Sequence, residues 1–304
     1  MKSWFLIAII GHVLNAVAFI VDKALLTTAF KRSGTYATLI GGLSSIALLA
    51  LPWTKLPDVQ SLIPVFGFGT LFVLGVWLFF EALRRAEATR VVPIIGSLVP
   101  VFTLSITSIL IDERLSTSGF YGFLLLVIAT AILSYGKRGE RLTVPTIFIA
   151  VASAFLFASS SALGKISFQQ TAFLDVFVWS RFATLFTSLM IGFFAPGVKV
   201  ELLKLASPHT HLAAEQESGA FFYMLFGQLC GACGFILLQY AISQGSAALV
   251  NALQATQYAI LILVAWFGGA YFRRILQEHR SQTSIVIKST AIGLAGIGLY
   301  LVSH

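Results

Sequence analysis

The sequence predicts an all-α membrane protein of about ten transmembrane helices, in two inverted five-helix repeats. Three observations lead there. Of the 304 residues, 58% are hydrophobic and only 11% charged, against about 25% charged in a soluble domain. So little polar surface cannot cover a globule in water. The apolar residues fall in blocks long enough to cross a hydrocarbon core, each bounded by charges, Pro or Gly. Finally, the two halves of the chain resemble each other.

The spacing predicts spans at 4–22, 35–52, 62–83, 91–111 and 118–136, then at 145–164, 173–194, 219–242, 247–270 and 285–302. Met1-Lys2-Ser3 followed by an apolar run imitates a secretory signal. The run continues past Phe19 without a convincing small-residue cleavage site, which reads as a retained first helix. Lipid offers no hydrogen-bond partners, so a crossing segment must be a helix or part of a closed barrel. Barrel strands are about ten residues long with alternating polarity. These blocks are longer and apolar on all sides, which excludes the barrel. In the fourth span Pro93 and Pro100 are expected to kink the helix and free carbonyls toward the interior. The stretch 195–218, with Lys199, Glu201, Lys204, His209 and His211, reads as a surface loop holding a short interfacial helix.

Residues 19–30 read FIVDKALLTTAF and residues 161–173 read SALGKISFQQTAF, so that Lys23 and Lys165 correspond. Ala82-Leu83 similarly answers Ala241-Ile242. The units are 1–142 and 143–304, with five helices each. An odd number per half inserts the second half upside down relative to the first. Such repeats place a site near the midplane and permit two mirror-related conformations. Chance similarity among Leu-rich helices is the competing explanation.

The stretch from Glu81 to Ser116 carries Ala82-Leu83 at the end of the third helix and a small-residue turn. Pro100 lies a third of the way along the fourth, and Glu113-Arg114-Leu115 follows it. With Arg181-Phe182 early in the seventh helix, this pattern resembles EamA-type members of the drug/metabolite transporter superfamily. The second half departs from it, with residues near Tyr258 and Phe272 where the first half has Pro100 and Glu113. The resemblance implies a transporter with a central cavity lined by the first, third, fourth, sixth, eighth and ninth helices.

Polar side chains recur on single faces of these apolar helices. His12, Asn15 and Asp22 share a face of the first helix, and Asn251, Gln254 and Tyr258 share one in the ninth. Gln228 and Gln239 line up in the eighth, and Arg181, Thr184 and Ser188 in the seventh. A polar group facing lipid is costly, so these faces should look into the bundle or a wet cavity. One reading is a substrate cavity. The other is hydrogen bonding between helices, at about 1 kcal/mol or less per contact. Lys23 and Lys165 read either as snorkelling at the interface or as two gates attracting an anionic solute. Glu81 stands three and four residues before Arg84 and Arg85, as an ion pair requires. Arg181 is the charge deepest in a span and needs a carboxylate or carbonyl partner.

Cys230-Gly-Ala-Cys233 offers two ligands where structural zinc takes four, so no metal is expected. With Gly227-xxx-Gly231 it reads instead as a close helix contact. No Walker loop, nucleophile elbow or HExxH occurs. Neither cofactor nor enzyme activity is therefore expected. The net charge of +8 fits loops facing anionic lipid and needs no nucleic acid. The expected function is a secondary carrier or exchanger of a small polar metabolite in the cytoplasmic membrane, with His12, Asp22 or Glu81 as proton sites. A flippase or accessory subunit for a lipid-linked sugar is the alternative. The expected partners are the metabolite, the bilayer and a second copy of the chain in a homodimer.

Fifteen basic residues fall in the odd-numbered loops, against four on the side of the termini. Positive-inside therefore puts both termini outside, whereas the resemblance implies cytoplasmic termini. In intact cells, a membrane-impermeant thiol reagent should label Ser303→Cys and spare Ser33→Cys. The opposite pattern would reverse the orientation.

Overall fold

The computed structural model describes residues 3–25, 32–86, 88–133, 142–205, 218–270, 272 and 282–304. Within these, nothing is described of the side chains at 22–25, 88–90, 93, 205, 218–225 and 282. Every regular element among the described residues is a helix. The first half contributes α1 (Ser3–Leu25), α2 (Ser33–Ser44), α3 (Val59–Arg85), α4 (Ala88–Ile111) and α5 (Thr117–Leu133). The second contributes α6 (Val144–Gln170), α7 (Phe173–Phe194), the short α8 (Val198–Leu205), α9 (Ser218–Gln244), α10 (Ala247–Ala252), α11 (Gln254–Phe267) and α12 (Gln282–Ser303).

Among the described residues, nine spans are long and apolar enough to cross a membrane, and the 17-residue α5 is a shorter apolar tenth. The chain is thus a multi-pass membrane protein. Two spans depart from a plain α-helix. After Ser44, α2 continues as a 3-10 helix over Ser45–Trp53. Ser44 and Ser45 turn their hydroxyls onto the carbonyls of Gly41 and Gly42 at 2.8 and 2.5 Å, where the winding tightens. The 3-10 rise of about 2.0 Å per residue lengthens the span. The ninth span, expected as one helix over 247–270, is broken at Leu253 into α10 and α11. α4, by contrast, runs uninterrupted through Pro93 and Pro100.

Polarity is inverted relative to a soluble protein. Leu49, Ile63, Ile109, Phe186 and Phe267 are more than 60% exposed, while Thr103, Ser153, Ser180 and Thr184 are fully buried. Exposed apolar surface on this scale needs lipid to cover it. Inside, small residues let backbones approach. Along the α1–α9 contact Gly231 faces Ala18, Gly227 faces Val21, and Gly234 receives Asn15 and the carbonyl of Gly11. The Gly227-xxx-Gly231 contact read from sequence is this crossing. α6 is tied to α3 by hydroxyls. Ser153 Oγ donates to the Gly75 carbonyl at 2.9 Å, and Ser160 Oγ to the Phe68 carbonyl at 2.8 Å.

The most extensive interfaces are α3 with α6, α1 with α9, and α5 with α12. Counting spans along the chain, these pair the third with the sixth, the first with the eighth, and the fifth with the tenth. Moving five places turns the first pair into the second and returns the third pair to itself. The short α8 lies across the end of α7, with Val198 buried, Val200 and Leu203 exposed, and Lys199 Nζ 5.8 Å from the centre of the Phe193 ring.

Close contacts make small residues obligatory at named points. A Cβ on Gly69 would fall on the Ser180 carbonyl of α7, with Thr184 Oγ1 at 2.8 Å, whereas one on Gly293 meets nothing. Gly69→Ala should cost about 1–3 kcal/mol through overpacking. Gly293→Ala should be neutral or gain up to about 1 kcal/mol of helix propensity. Thermal unfolding in detergent measures both.

Candidate functional site

The break at Leu253 organises the centre of the bundle. Ser246 starts α10, its Oγ accepting from the Leu249 amide at 3.2 Å. At the other end the Leu253 amide donates to the Leu249 carbonyl, and the Thr256 amide reaches back only three residues to Leu253. The Val250 carbonyl is taken instead by His12 of α1, whose Nε2 lies 2.9 Å away. A carbonyl only accepts, so Nε2 carries the proton. Nδ1 is buried and makes no hydrogen bond, with Gln257 the polar side chain beside the ring.

One residue beyond Val250, Asn251 Nδ2 donates to Thr103 Oγ1 of α4 at 3.0 Å. The Thr103 hydroxyl in turn donates to the Val99 carbonyl at 2.7 Å, so Asn251 binds a hydroxyl already oriented by its own helix. Gln254 Nε2 donates to the buried Tyr258 hydroxyl at 3.1 Å. That hydroxyl packs on Gly96, where an added Cβ would sit 2.7 Å from it. Pro100 lacks the N–H that would otherwise bond the Gly96 carbonyl. The cluster is therefore an imidazole, two amides, a phenol and backbone carbonyls, converging from α1, α4, α10 and α11. It can exchange hydrogen bonds with a polar solute, but it holds no acid, base and nucleophile set.

Of the residues singled out from sequence, His12, Asn251, Gln254 and Tyr258 belong to this cluster. Asn15, one turn from His12, turns toward Gly234 of α9. Gln239 is buried, with Oε1 making no hydrogen bond, whereas Gln228, on the same face of α9, is exposed. Equal heading on a helix does not mean equal depth. The side chains of Asp22, Lys23 and Pro93 lie outside the described ones, and Pro100 is buried. Thr103 and the Val250 carbonyl escaped sequence reasoning. Nothing distinguishes Thr103 from the other hydroxyls of α4, and no Pro or Gly marks the break.

Lys165 and Arg181 stand apart. Lys165 Nζ donates to the Ile242 and Ser243 carbonyls at 3.1 and 3.5 Å, capping the last turn of α9, where a cation is favoured by the helix dipole. Arg181 is 1% exposed. Its Nε donates to the Phe177 carbonyl at 3.2 Å and its Nη2 to Ser180 Oγ at 3.0 Å. Its guanidinium lies 4.7, 5.5 and 5.6 Å from the ring centres of Phe177, Phe68 and Phe235. The partner that the sequence required is thus a carbonyl and three aromatic faces. Among the described residues no carboxylate pairs with it. Thr184 and Ser188, on the same stripe, turn their hydroxyls onto the Ser180 and Thr184 carbonyls and fill notches at Gly69 and Gly41.

A buried cation with no anion beside it costs more desolvation than its contacts return. Arg181→Met should therefore unfold no more easily than the wild type, and should gain up to about 4 kcal/mol. A marked loss in thermal unfolding would make Arg181 a structural keystone.

Three comparisons with known proteins bear on identity. Curated proteins give no match. A solved structure, titled only "Crystal structure of protein", superposes over 100% of this chain and 99% of its own length. Its TM-score is 0.66 at 17% sequence identity, a likeness of fold alone. The profile of the EamA-like transporter family matches residues 2–135, which span α1 to α5. Over that stretch the chain is similar to the EamA-like transporter family of the drug/metabolite transporter superfamily, whose members are membrane transporters of small molecules.

Proposed function

We propose that the protein is a secondary carrier or exchanger that moves a small polar metabolite across the cytoplasmic membrane by alternating access. The observation that carries this is the broken ninth span, whose Val250 carbonyl is held by His12 from the first span. A backbone acceptor released at membrane depth is tolerated only where protein or a wet cavity satisfies it. Discontinuous helices of this kind form the sites of many carriers. The His12–Val250, Asn251–Thr103 and Gln254–Tyr258 bonds each join groups that a solute could replace one for one.

Two inverted repeats, 1–142 and 143–304, would supply the two conformations. The exchange of the α3–α6 and α1–α9 interfaces under a five-span shift supports them. Lys165 would hold one end of the path by capping α9. Arg181, with no carboxylate among its described neighbours, would favour a cargo bearing an acidic group.

The test is counterflow in proteoliposomes, with cargo chosen by a thermal-shift screen of a metabolite library. Asn251→Ala and Gln254→Ala should each cut transport by about tenfold, the equivalent of one hydrogen bond of about 1.4 kcal/mol, with Gly293→Ala as the unaffected control. Transport undiminished in both variants would remove the cluster from the path.

A further inference from the structure

A cavity of about 410 Å³ lies at the other end of α3 from Val59, away from the central cluster, between the starts of α2 and α6, the end of α3 and the α7–α8 corner. Arg32, Arg84, Arg85 and Glu81 line it together with Trp77. Its charges are built in, not scattered. Glu81 Oε1 accepts from Arg84 Nη2 at 2.9 Å and from Arg85 Nε at 2.8 Å. Its Oε2 accepts from Arg84 Nε at 3.2 Å and from Ser33 Oγ at 2.7 Å. Across the cavity Arg32 Nη1 donates to the Pro196 carbonyl at 2.6 Å. Its guanidinium lies flat on Gly197, where the backbone has φ +72° and any Cβ would strike it.

One carboxylate thus orients two guanidiniums and a backbone carbonyl holds a third, so the cavity has three cations against one anion. Each guanidinium brings five N–H groups. Those that Glu81 and Pro196 leave unused are free to converge on the hollow. Forked guanidiniums match the oxygens of a phosphate in pairs.

The depth of the cavity says where such a group would come from. α8 lies along one lip, with Val200 and Leu203 exposed and Lys199 over the Phe193 ring, the arrangement of a helix at the membrane surface. Phe193 and Phe194 are 60% and 78% exposed just below it, and Trp77 stands at the same end of the bundle. Aromatic side chains gather at headgroup level.

We propose that this cavity binds a phosphate-bearing anion, supplied by the headgroup of an anionic phospholipid. This holds whatever the carrier's cargo, since no residue of the central cluster takes part. The site would tie the α2 start and the α7–α8 corner to the end of α3 and would make stability depend on the lipid.

The full chain is placed in nanodiscs of phosphatidylcholine, or of phosphatidylcholine with a third of the lipid replaced by phosphatidylglycerol, and thermal unfolding is followed. A third arm adds glycerol 3-phosphate to the phosphatidylcholine discs. Phosphatidylglycerol should raise the unfolding temperature by several degrees, as ligation to the folded state alone requires. Arg84→Gln/Arg85→Gln together, and Arg32→Gln alone, should lose most of that rise. Lys55→Gln, which removes an exposed charge at the opposite end of α3, should keep it. A rise with glycerol 3-phosphate that depends on the same arginines would uphold the site and assign it to a soluble phosphate ester. No rise in any arm, or a rise equal in Arg32→Gln and Lys55→Gln, would overturn the proposal. If the double variant fails to fold, Arg32→Gln decides alone, since its side chain is exposed and makes one described bond.

Discussion

Backbone carbonyls inside a membrane have no water to bond to, and the architecture of this protein follows from where those carbonyls find partners. Most are bonded within their own helices. The carbonyls that accept from another helix mark the points that hold the bundle together or give it a centre. Ser153 and Ser160 of α6 donate to carbonyls of α3. Lys165 caps the end of α9. His12 takes the carbonyl of Val250 at the break between α10 and α11. These donors reach from one helix to another, so satisfying the backbone and assembling the bundle are one event.

Close approach makes such bonding feasible. Gly69, Gly75 and Gly234 each lie where a side chain would collide with a neighbouring helix. Their absence of bulk lets hydroxyls and amides of modest length span the gap. In lipid the apolar surface of a helix is not squeezed out by solvent, so packing of this kind and interhelical hydrogen bonds supply the association. The hydroxyl stripe of α7 shows the division of labour. Thr184 and Ser188 turn onto their own helix and fill glycine notches, while Arg181, one turn away, sits among three phenylalanine rings.

Among the described residues, the charged side chains that bond one another lie at the ends of the spans. Glu81, Arg32, Arg84 and Arg85 gather at one end of the bundle, where headgroups and water lower the cost of ionisation. At the centre, polarity is carried by neutral amides, a phenol and an imidazole. Arg181 is a fully buried cation, held by a carbonyl, a hydroxyl and aromatic faces. A neutral centre lined by exchangeable hydrogen bonds would suit the solute of the proposed carrier, because each bond it took up would replace one of similar strength.

Much of this was legible in the sequence. Block length fixed the class and very nearly the bounds of the spans, because about 20 apolar residues have no other stable use than crossing lipid. The Glu81 ion pair, the Gly227–Gly231 contact and the face shared by Asn251, Gln254 and Tyr258 followed from helical spacing, which is a local property. The tertiary structure alone decided which faces meet and at what depth. It set His12 against Val250 and Asn251 against Thr103, pairs far apart in the chain. It separated Gln239 from Gln228 on one face, and it broke the ninth span at Leu253 with no Pro or Gly to announce it. Periodicity tells a side chain its direction around its own axis, but only the packing of other helices tells it what stands there.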